Sequence, residues 1–201
     1  NKVISELARF KKFSCLFVRE GYCLEKELSA HDIYQTTEEI LKKISGLNQP
    51  EDLIAEVELP KPSLLAGKQR LITLDGISDP GNMGTLIRTA LAFRWDGIFL
   101  LNHCVDPFND KAIRASRGAC FCIEMRAGNL TELQDILKEN SFTTLVADMS
   151  GEDFKKTACQ GPIHLVFGSE ANGVSDETAR IGKKISIPIS NQVESLNAAI
   201  A

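Results

Sequence analysis

Three places where an apolar run gives way to small and polar residues hold the side chains that could do chemistry. The first is residues 71–75 followed by 79–84, the second is 165–173, and the third is 185–188 followed by 195–201. Each apolar run is typical of a buried strand, and in an open parallel sheet ligands bind at the carboxyl ends of the strands. We therefore predict that these ends converge on one binding site.

The polar residues at the first two ends each have a binding and a structural interpretation. Asn82 could cap a helix, Arg88 could be an ordinary surface or ion-paired arginine, and Glu170 could cap a nearby helix. Gly168 would let a ligand approach the backbone closely, because it has no side chain.

The third end carries Ile187-Pro188 and then Ser195 and Asn197. A proline at a strand end stops the hydrogen-bonded ladder and leaves a free carbonyl edge. Ser195 could cap the last helix, and Asn197 could lie in its first turn. Each residue alone is a weak signal.

Apolar runs and helical patterns alternate from Gly67 onward. We predict strands at residues 70–74, 97–101, 120–125, 143–147, 163–167 and 184–187. We predict helices at 82–93, 110–117, 131–139, 176–181 and from Ser195 onward. Alternation with short connections predicts an α/β fold with a parallel sheet and helices on both faces. The strands lack polar alternation, which favours burial on both sides.

The first part of the chain reads as a small α+β domain. A helix-like opening precedes a strand at 15–18, a helix at 36–44 and a strand at 53–59. The run Pro60-Lys61-Pro62-Ser63 is typical of a linker. We place the domain boundary there, with domains at residues 1–62 and 68–201.

The charge of the chain bears on whether it binds nucleic acid. The net charge of −4 argues against nucleic-acid binding through bulk charge, but it allows local basic patches. Two groups of basic residues stand out: Arg9, Lys11, Lys12 and Arg19 near the start, and Lys111, Arg114, Arg117 and Arg126 in the middle.

Cysteine and histidine spacing predicts no metal site. The six cysteines form no C-x-x-C pair, and His31, His103 and His164 are far apart in sequence. Cys120 and Cys122 alternate in an apolar run, so we expect both on one strand face. Reduced thiols, no membrane-length apolar run and no secretory signal indicate a cytoplasmic protein. A dehydrogenase is disfavoured because the glycine fingerprint G-x-G-x-x-G is absent.

In combination, the three ends closely resemble the signature motifs of the SpoU family, in the SPOUT class of RNA 2′-O-ribose methyltransferases. The residues that carry the resemblance are Asp79-Pro80-x-Asn82-x-Gly84-x3-Arg88-Thr89-Ala90, Phe167-Gly168-Ser169-Glu170-x2-Gly173 and Ile187-Pro188-x6-Ser195-Leu196-Asn197. The resemblance covers about residues 68–201. The first part of the chain looks like a reduced version of the small substrate-binding domain of this family.

The resemblance implies a fold, a cofactor and residue roles. The expected fold is a parallel α/β sheet with a deep C-terminal trefoil knot, and the expected methyl donor is S-adenosylmethionine. It implies catalytic roles for Arg88, Asn82, Glu170, Ser195 and Asn197, and cofactor contacts for Gly168, Ile187 and Leu196. Because arginine is almost never deprotonated in proteins, we assign Arg88 to a phosphate or a developing alkoxide rather than to the role of base.

The implied partners are RNA, with ribosomal RNA favoured over transfer RNA, and a second copy of the chain. Arg19, Arg114 and Arg117 are the predicted RNA-binding residues. Three departures from the family pattern are a short stretch between Gly21 and Ile33, Asn191 in place of glycine, and an end inside the last helix, which suggests a fragment. They keep open the alternative of a non-catalytic RNA-binding or assembly protein.

Overall fold

A computed structural model describes residues 2–101 and 103–190. The chain divides into two compact units, Asn1–Pro60 and Lys61–Ala201. The division falls within the proline-rich run at 60–63. Within the described residues, no helix combines the length and the apolar character that crossing a bilayer requires.

The N-terminal unit is a three-stranded sheet with two short helices. Its elements are α1 (Lys2–Leu7), β1 (Phe13–Arg19), β2 (Ala30–Thr36), α2 (Glu38–Ser45) and β3 (Leu53–Glu56). The strand order is β2-β1-β3, with β1 parallel to β2 and antiparallel to β3. Leu16 and Val18 of β1, Leu41 of α2 and Leu53 of β3 are buried, and they form the core of this unit.

Strand β2 was not predicted from the sequence. Five consecutive residues of this edge strand are exposed, so it shows no alternation between apolar and polar positions. Ile33 and Tyr34 remain half exposed, and Tyr34 stacks on Phe17 of β1 with ring centroids 5.5 Å apart. Pairing with β1, rather than burial of its own side chains, makes this segment a strand.

The second unit is a six-stranded sheet flanked by helices. Its strands and helices are β4 (Arg70–Asp75), α3 (Pro80–Ala92), β5 (Gly97–Leu101), α4 (Asp110–Ser116), β6 (Glu124–Gly128), α5 (Leu130–Asn140), β7 (Thr143–Asp153), β8 (Ile163–Gly168), α6 (Asp176–Ala179) and β9 (Lys183–Ser186). The order is β6-β5-β4-β8-β7-β9, and every neighbouring pair is parallel. The predicted parallel α/β sheet is confirmed.

Strand order determines which face each helix covers. The chain moves from β4 to β5 to β6 in one direction and then crosses back to β7. Because such crossovers are right-handed, α3 and α4 lie on one face of the sheet and α5 on the other. The core cluster on the α5 side agrees, since it joins Leu71 and Phe99 of the strands to Leu133 and Ile136 of α5.

The predicted strand at 120–125 is wrong for residues 120–123, and only its last two residues belong to β6. Gly118 has φ of +80°, and the chain turns there into a 3₁₀ helix at Ala119–Phe121. Three consecutive residues are buried here because they form a short helical turn and not a strand. Cys120 lies in this 3₁₀ helix and Cys122 ends it, so the two cysteines do not share a strand face, and β6 begins only at Glu124.

The C-terminal predictions concern a segment beyond the described residues. The helix predicted from Ser195 and the expected knot involve residues 191–201, which lie outside the part of the chain that the structure describes. Strand β9 ends at Ser186, and Ile187 follows it with its side chain 40% exposed.

Candidate functional site

The centre of the candidate site is the point where the sheet changes direction, between β4 and β8. The connection after β4 leads toward β5, and the connection after β8 leads toward the opposite edge. The two loops therefore diverge and leave a crevice outside the carboxyl ends of the strands. Asp75, the last residue of β4, is paired with Gly168, the last residue of β8.

The start of α3 brings the first motif to this crevice. The N-cap is Asp79 and not Asn82, because a carboxylate oxygen of Asp79 accepts a hydrogen bond from the backbone N–H of Asn82 at 2.8 Å. Pro80 occupies the first helical position, where its missing N–H costs nothing. This N–H and, more weakly, the Lys111 ammonium at 3.4 Å lower the pKa of Asp79. The amide side chain of Asn82 is thus not needed as a cap and is available for another contact.

The loop after β8 folds back on itself directly above Gly168. Ser169 and Gly173 exchange two backbone hydrogen bonds, of 3.1 and 2.8 Å, which close residues 169–173 into a ring. A Cβ atom on Gly168 would collide with the carbonyl group of Gly173 and the nitrogen of Val174. The close approach predicted at Gly168 is therefore made by the backbone of the chain itself.

A carboxylate ties this ring to the neighbouring strand. One oxygen of Asp75 accepts hydrogen bonds from the backbone N–H and the hydroxyl of Ser175, at 2.9 and 2.8 Å. Ser175 is also the N-cap of α6. The pair fixes the far end of the ring relative to β4, so we call it the Asp75–Ser175 latch.

The first two motifs meet through Asn82 and Glu170. The amide nitrogen of Asn82 donates a hydrogen bond to a carboxylate oxygen of Glu170, 88 residues further along the chain. One partner lies in the first turn of α3 and the other in the ring after β8. The contact bridges the crevice, and it fixes which way the amide oxygen of Asn82 points.

Arg88 lies on the exposed side of α3. It shares a helix face with Gly81 and Thr85, because residues four and seven positions apart lie on one side of a helix. The Thr85 hydroxyl donates to the Gly81 carbonyl at 2.8 Å, whereas Arg88 is exposed to solvent. Its guanidinium can therefore reach an external anion.

The predicted RNA-binding arginines lie in different surroundings. Arg114 pairs with Asp110 at 2.7 Å on α4, and the exposed Arg117 ends that helix with φ of +51°. Arg19 of the N-terminal unit pairs with Asp52 at 3.0 Å and with Glu38 at 3.9 Å, so two carboxylates offset its charge. Their roles stay predictions.

Of the remaining predicted residues, Ser195, Leu196 and Asn197 lie outside the described residues. The structure therefore brings together Asn82, Gly168 and Glu170, with Arg88 on the same helix as Asn82. Among the residues that it describes, no group of three or more His, Cys, Asp and Glu side chains is placed to hold a metal ion.

Sequence comparison assigns this arrangement to a family. The model of the SpoU rRNA Methylase family matches residues 69–201, which is most of the second unit. The chain belongs to the SpoU rRNA methylase family. A relative, the 23S rRNA (guanosine(2553)-2'-O)-methyltransferase RlmP of Bacillus subtilis, is 30% identical over 84% of this chain and 68% of its own length. A Synechocystis protein named as an uncharacterized tRNA/rRNA methyltransferase is 29% identical over 94% of this chain and 72% of its own length.

Solved structures of methyltransferases share the fold. The SpoU methyltransferase AviRb from Streptomyces viridochromogenes, in complex with AdoMet, superposes with a TM-score of 0.85 at 23% identity, over 100% of this chain and 83% of that one. An AdoMet-bound rRNA methyltransferase from Sinorhizobium meliloti gives a TM-score of 0.82 at 25% identity, over 98% and 79%. The matched residues include those of both units.

Sequence reasoning missed the Asp75–Ser175 latch. The two residues are 100 positions apart, so no local pattern links them. The available signals were an aspartate directly after a buried strand and a serine before Asp176 and Glu177, which is typical of an N-cap. Neither signal indicates that the two side chains meet.

Proposed function

We propose that this chain transfers a methyl group from S-adenosylmethionine to a ribose 2′-hydroxyl of RNA, with ribosomal RNA preferred over transfer RNA. The observation that carries the proposal is the Asn82–Glu170 contact, which joins two family motifs across the crevice at the sheet switch point. Membership of a family of RNA methylases and a relative named as a 2′-O-methyltransferase support it.

The residues around the crevice suit the cofactor. When bound, S-adenosylmethionine supplies an electrophilic methyl group on a positively charged sulfur. The carboxylates of Asp75 and Glu170 favour a cation nearby, and the 40% exposed side chain of Ile187 offers apolar surface to an adenine ring. We assign cofactor contacts to Gly168 and Ile187 in the described range and to Leu196 beyond it.

The remaining polar residues hold and activate the RNA. A ribose hydroxyl is a poor nucleophile until its proton is removed, and it must lie in line with the methyl carbon. Glu170 orients the amide of Asn82, and Asn82 orients the hydroxyl. Arg88 binds a phosphate or the developing alkoxide, and a phosphate of the RNA takes up the proton that the hydroxyl loses. Ser195 and Asn197 complete this site.

RNA binding extends beyond the reacting nucleotide. We assign Arg114 and Arg117 of the second unit and Arg19 of the N-terminal unit to contacts with the RNA backbone, and the N-terminal unit as a whole to substrate binding. Two copies of the chain form the active enzyme, and they work in the cytoplasm.

Methyl transfer from radiolabelled S-adenosylmethionine to ribosomal RNA tests the proposal. A 2′-O-methyl group blocks alkaline cleavage of the adjacent phosphodiester bond, so the label must remain in alkali-resistant dinucleotides. We expect Arg88→Ala to abolish transfer but retain cofactor binding by calorimetry. Arg70→Ala, which removes an exposed arginine at the amino edge of β4, should keep full activity. Absence of cofactor binding by the unaltered protein would refute an enzymatic role and favour a non-catalytic RNA-binding protein.

A further inference from the structure

We propose that the turn of residues 9–12, which we call the basic turn, binds an unpaired segment of the RNA substrate. A base stacks on the ring of Phe10, and the cations beside it bind the flanking phosphates. This inference rests on the proposed function, because it names a second RNA contact of the same enzyme.

Phe10 is presented to solvent by an ordered backbone. Its side chain is 71% exposed, although Leu7 before it and Phe13 after it are buried, at 5% and 3%. The backbone N–H groups of Phe10 and Lys11 both donate to the carbonyl of Leu7 at 2.9 Å. The turn is therefore fixed to the end of α1, and its ring points outward without a loose loop around it.

The charge of the turn suits a polyanion. Arg9, Lys11 and Lys12 flank Phe10, whereas acidic residues outnumber basic ones in the N-terminal unit as a whole. None of the ion pairs found among the described residues involves these three cations. Arg19, the RNA-binding residue expected in this unit, is by contrast held by two carboxylates.

The three cations are not equivalent. Arg9 borders a groove that also carries Glu6, Glu25 and Glu27, so its charge is partly offset. Lys11 is half-buried, and Lys12 is exposed on the side of the turn that leads into β1. Lys12 is therefore the strongest phosphate contact of the turn.

An exposed aromatic ring among cations favours a single strand over a duplex. A base inside a duplex is already stacked on both faces, whereas an unpaired base can use the ring as its partner. Base–aromatic stacking combined with a basic surface is how proteins hold single-stranded RNA without reading its sequence. The basic turn thus adds affinity to the substrate complex, while the nucleotide to be methylated is chosen elsewhere.

Direct binding of a fluorescent oligouridylate tests the inference. A length of about ten nucleotides lies within the usual site size of surfaces that bind single strands. We expect Phe10→Ala to weaken binding about 5- to 150-fold, the range that corresponds to one stacked base. Phe93→Ala is the matched control, because Phe93 is 70% exposed in the second unit and has one arginine next to it. The control should bind like the unaltered protein.

Phe10→Trp provides a readout that a purely structural role would not produce. The chain has a single tryptophan, Trp95. A base stacked on a tryptophan at position 10 should quench its fluorescence on addition of the oligouridylate, with affinity retained. Lys12→Gln should lower the slope of log affinity against log salt by about 0.7, the value for one phosphate of a single strand.

The outcomes separate this inference from the proposed function. If Phe10→Ala and the unaltered protein bind the oligouridylate equally, the inference that the basic turn binds RNA is wrong, whatever the methyl-transfer assay shows. Weakened binding by Phe10→Ala, together with no methyl transfer by the unaltered protein, would support the turn and contradict the enzymatic proposal. If both hold, Phe10→Ala should raise the KM for RNA and leave kcat and the affinity for S-adenosylmethionine unchanged.

Discussion

Removal of the Asp75 carboxylate is expected to release the ring after β8. Asp75→Ala deletes both hydrogen bonds of the Asp75–Ser175 latch while the ring keeps its own Ser169–Gly173 pairing. A hydrogen bond to a charged group contributes about 1.5–3 kcal/mol to stability. At a half-exposed site the loss is smaller, because water can hydrogen-bond to the groups that lose their partner. We therefore expect local opening to become easier by about 1.5–3 kcal/mol in total, which is roughly a 10- to 150-fold change in the opening equilibrium.

Hydrogen exchange followed by mass spectrometry measures this opening. The segment of residues 168–176 should exchange faster in Asp75→Ala, and S-adenosylmethionine should bind more weakly, because the ring contributes Glu170 to the site. Ser175→Ala should show a smaller effect at residues 168–173, since the backbone N–H of residue 175 still donates to Asp75, and a separate effect in α6, whose N-cap it removes.

Asp96→Ala is the matched control for the latch. One oxygen of Asp96 likewise accepts two hydrogen bonds, from the backbone N–H groups of Gln69 and Arg70 at 2.8 Å each. These two N–H groups lie at the amino edge of the sheet. Hydrogen exchange in Asp96→Ala should therefore accelerate around residue 70 and stay unchanged at 168–176. If Asp75→Ala exchanges like the unaltered protein at 168–176 while Asp96→Ala shows its local effect, the reasoning about the latch is wrong.

Three further changes have defined expected outcomes. Gly168→Ala places a Cβ against the backbone of Gly173 and should displace the backbone ring of residues 169–173. We expect this to lower stability by about 1–3 kcal/mol and to weaken cofactor binding measured by calorimetry. Burial lowers the pKa of His164 to about 3, whereas the imidazole of the unfolded chain takes up a proton near pH 6.5. The free energy of unfolding should therefore fall by up to about 1.4 kcal/mol per pH unit as the pH falls from 6.5 toward 3, and His164→Gln should flatten that slope in urea titrations. Hydrogen bonds from the side chains of Lys184 and Ser150 lower the pKa of Asp148 to about 2. Because solvent screens this partly exposed pair, Asp148→Asn should cost about 1 kcal/mol at neutral pH, with the difference lost as the pH falls from about 4 to 2.

The sequence predicted segments whose apolar residues follow a strong pattern. It did not predict segments whose secondary structure depends on contacts with other parts of the chain. Strand β5 was predicted with its observed bounds because every one of its residues is buried. Strand β2 was missed because pairing with β1 holds it, and pairing leaves no periodicity in an exposed edge strand. The strand predicted at 120–125 started too early, because burial in the short helical turn at 119–121 gives the same run of apolar residues as a strand.

Motif order in the sequence indicated one site, but the contacts inside it required the tertiary structure. By its residue type Asn82 could be either a cap of α3 or a residue of the site, and the sequence left both interpretations open. In the structure Asp79 is the cap, and the side chain of Asn82 contacts Glu170. The sequence identified Gly168 as a position of close approach, whereas the fold decided that Gly173 of the same chain makes that approach.

The amino-acid sequence by itself determined the parallel α/β unit, the residue types at the strand ends and the family to which they belong, because burial patterns and short motifs are local properties of a chain. Only the tertiary structure decided that Asp75 holds Ser175 and that Glu170 holds Asn82. The physical reason is that strand order places the loops after β4 and β8 side by side, and residues about 90 to 100 positions apart then come within hydrogen-bonding distance.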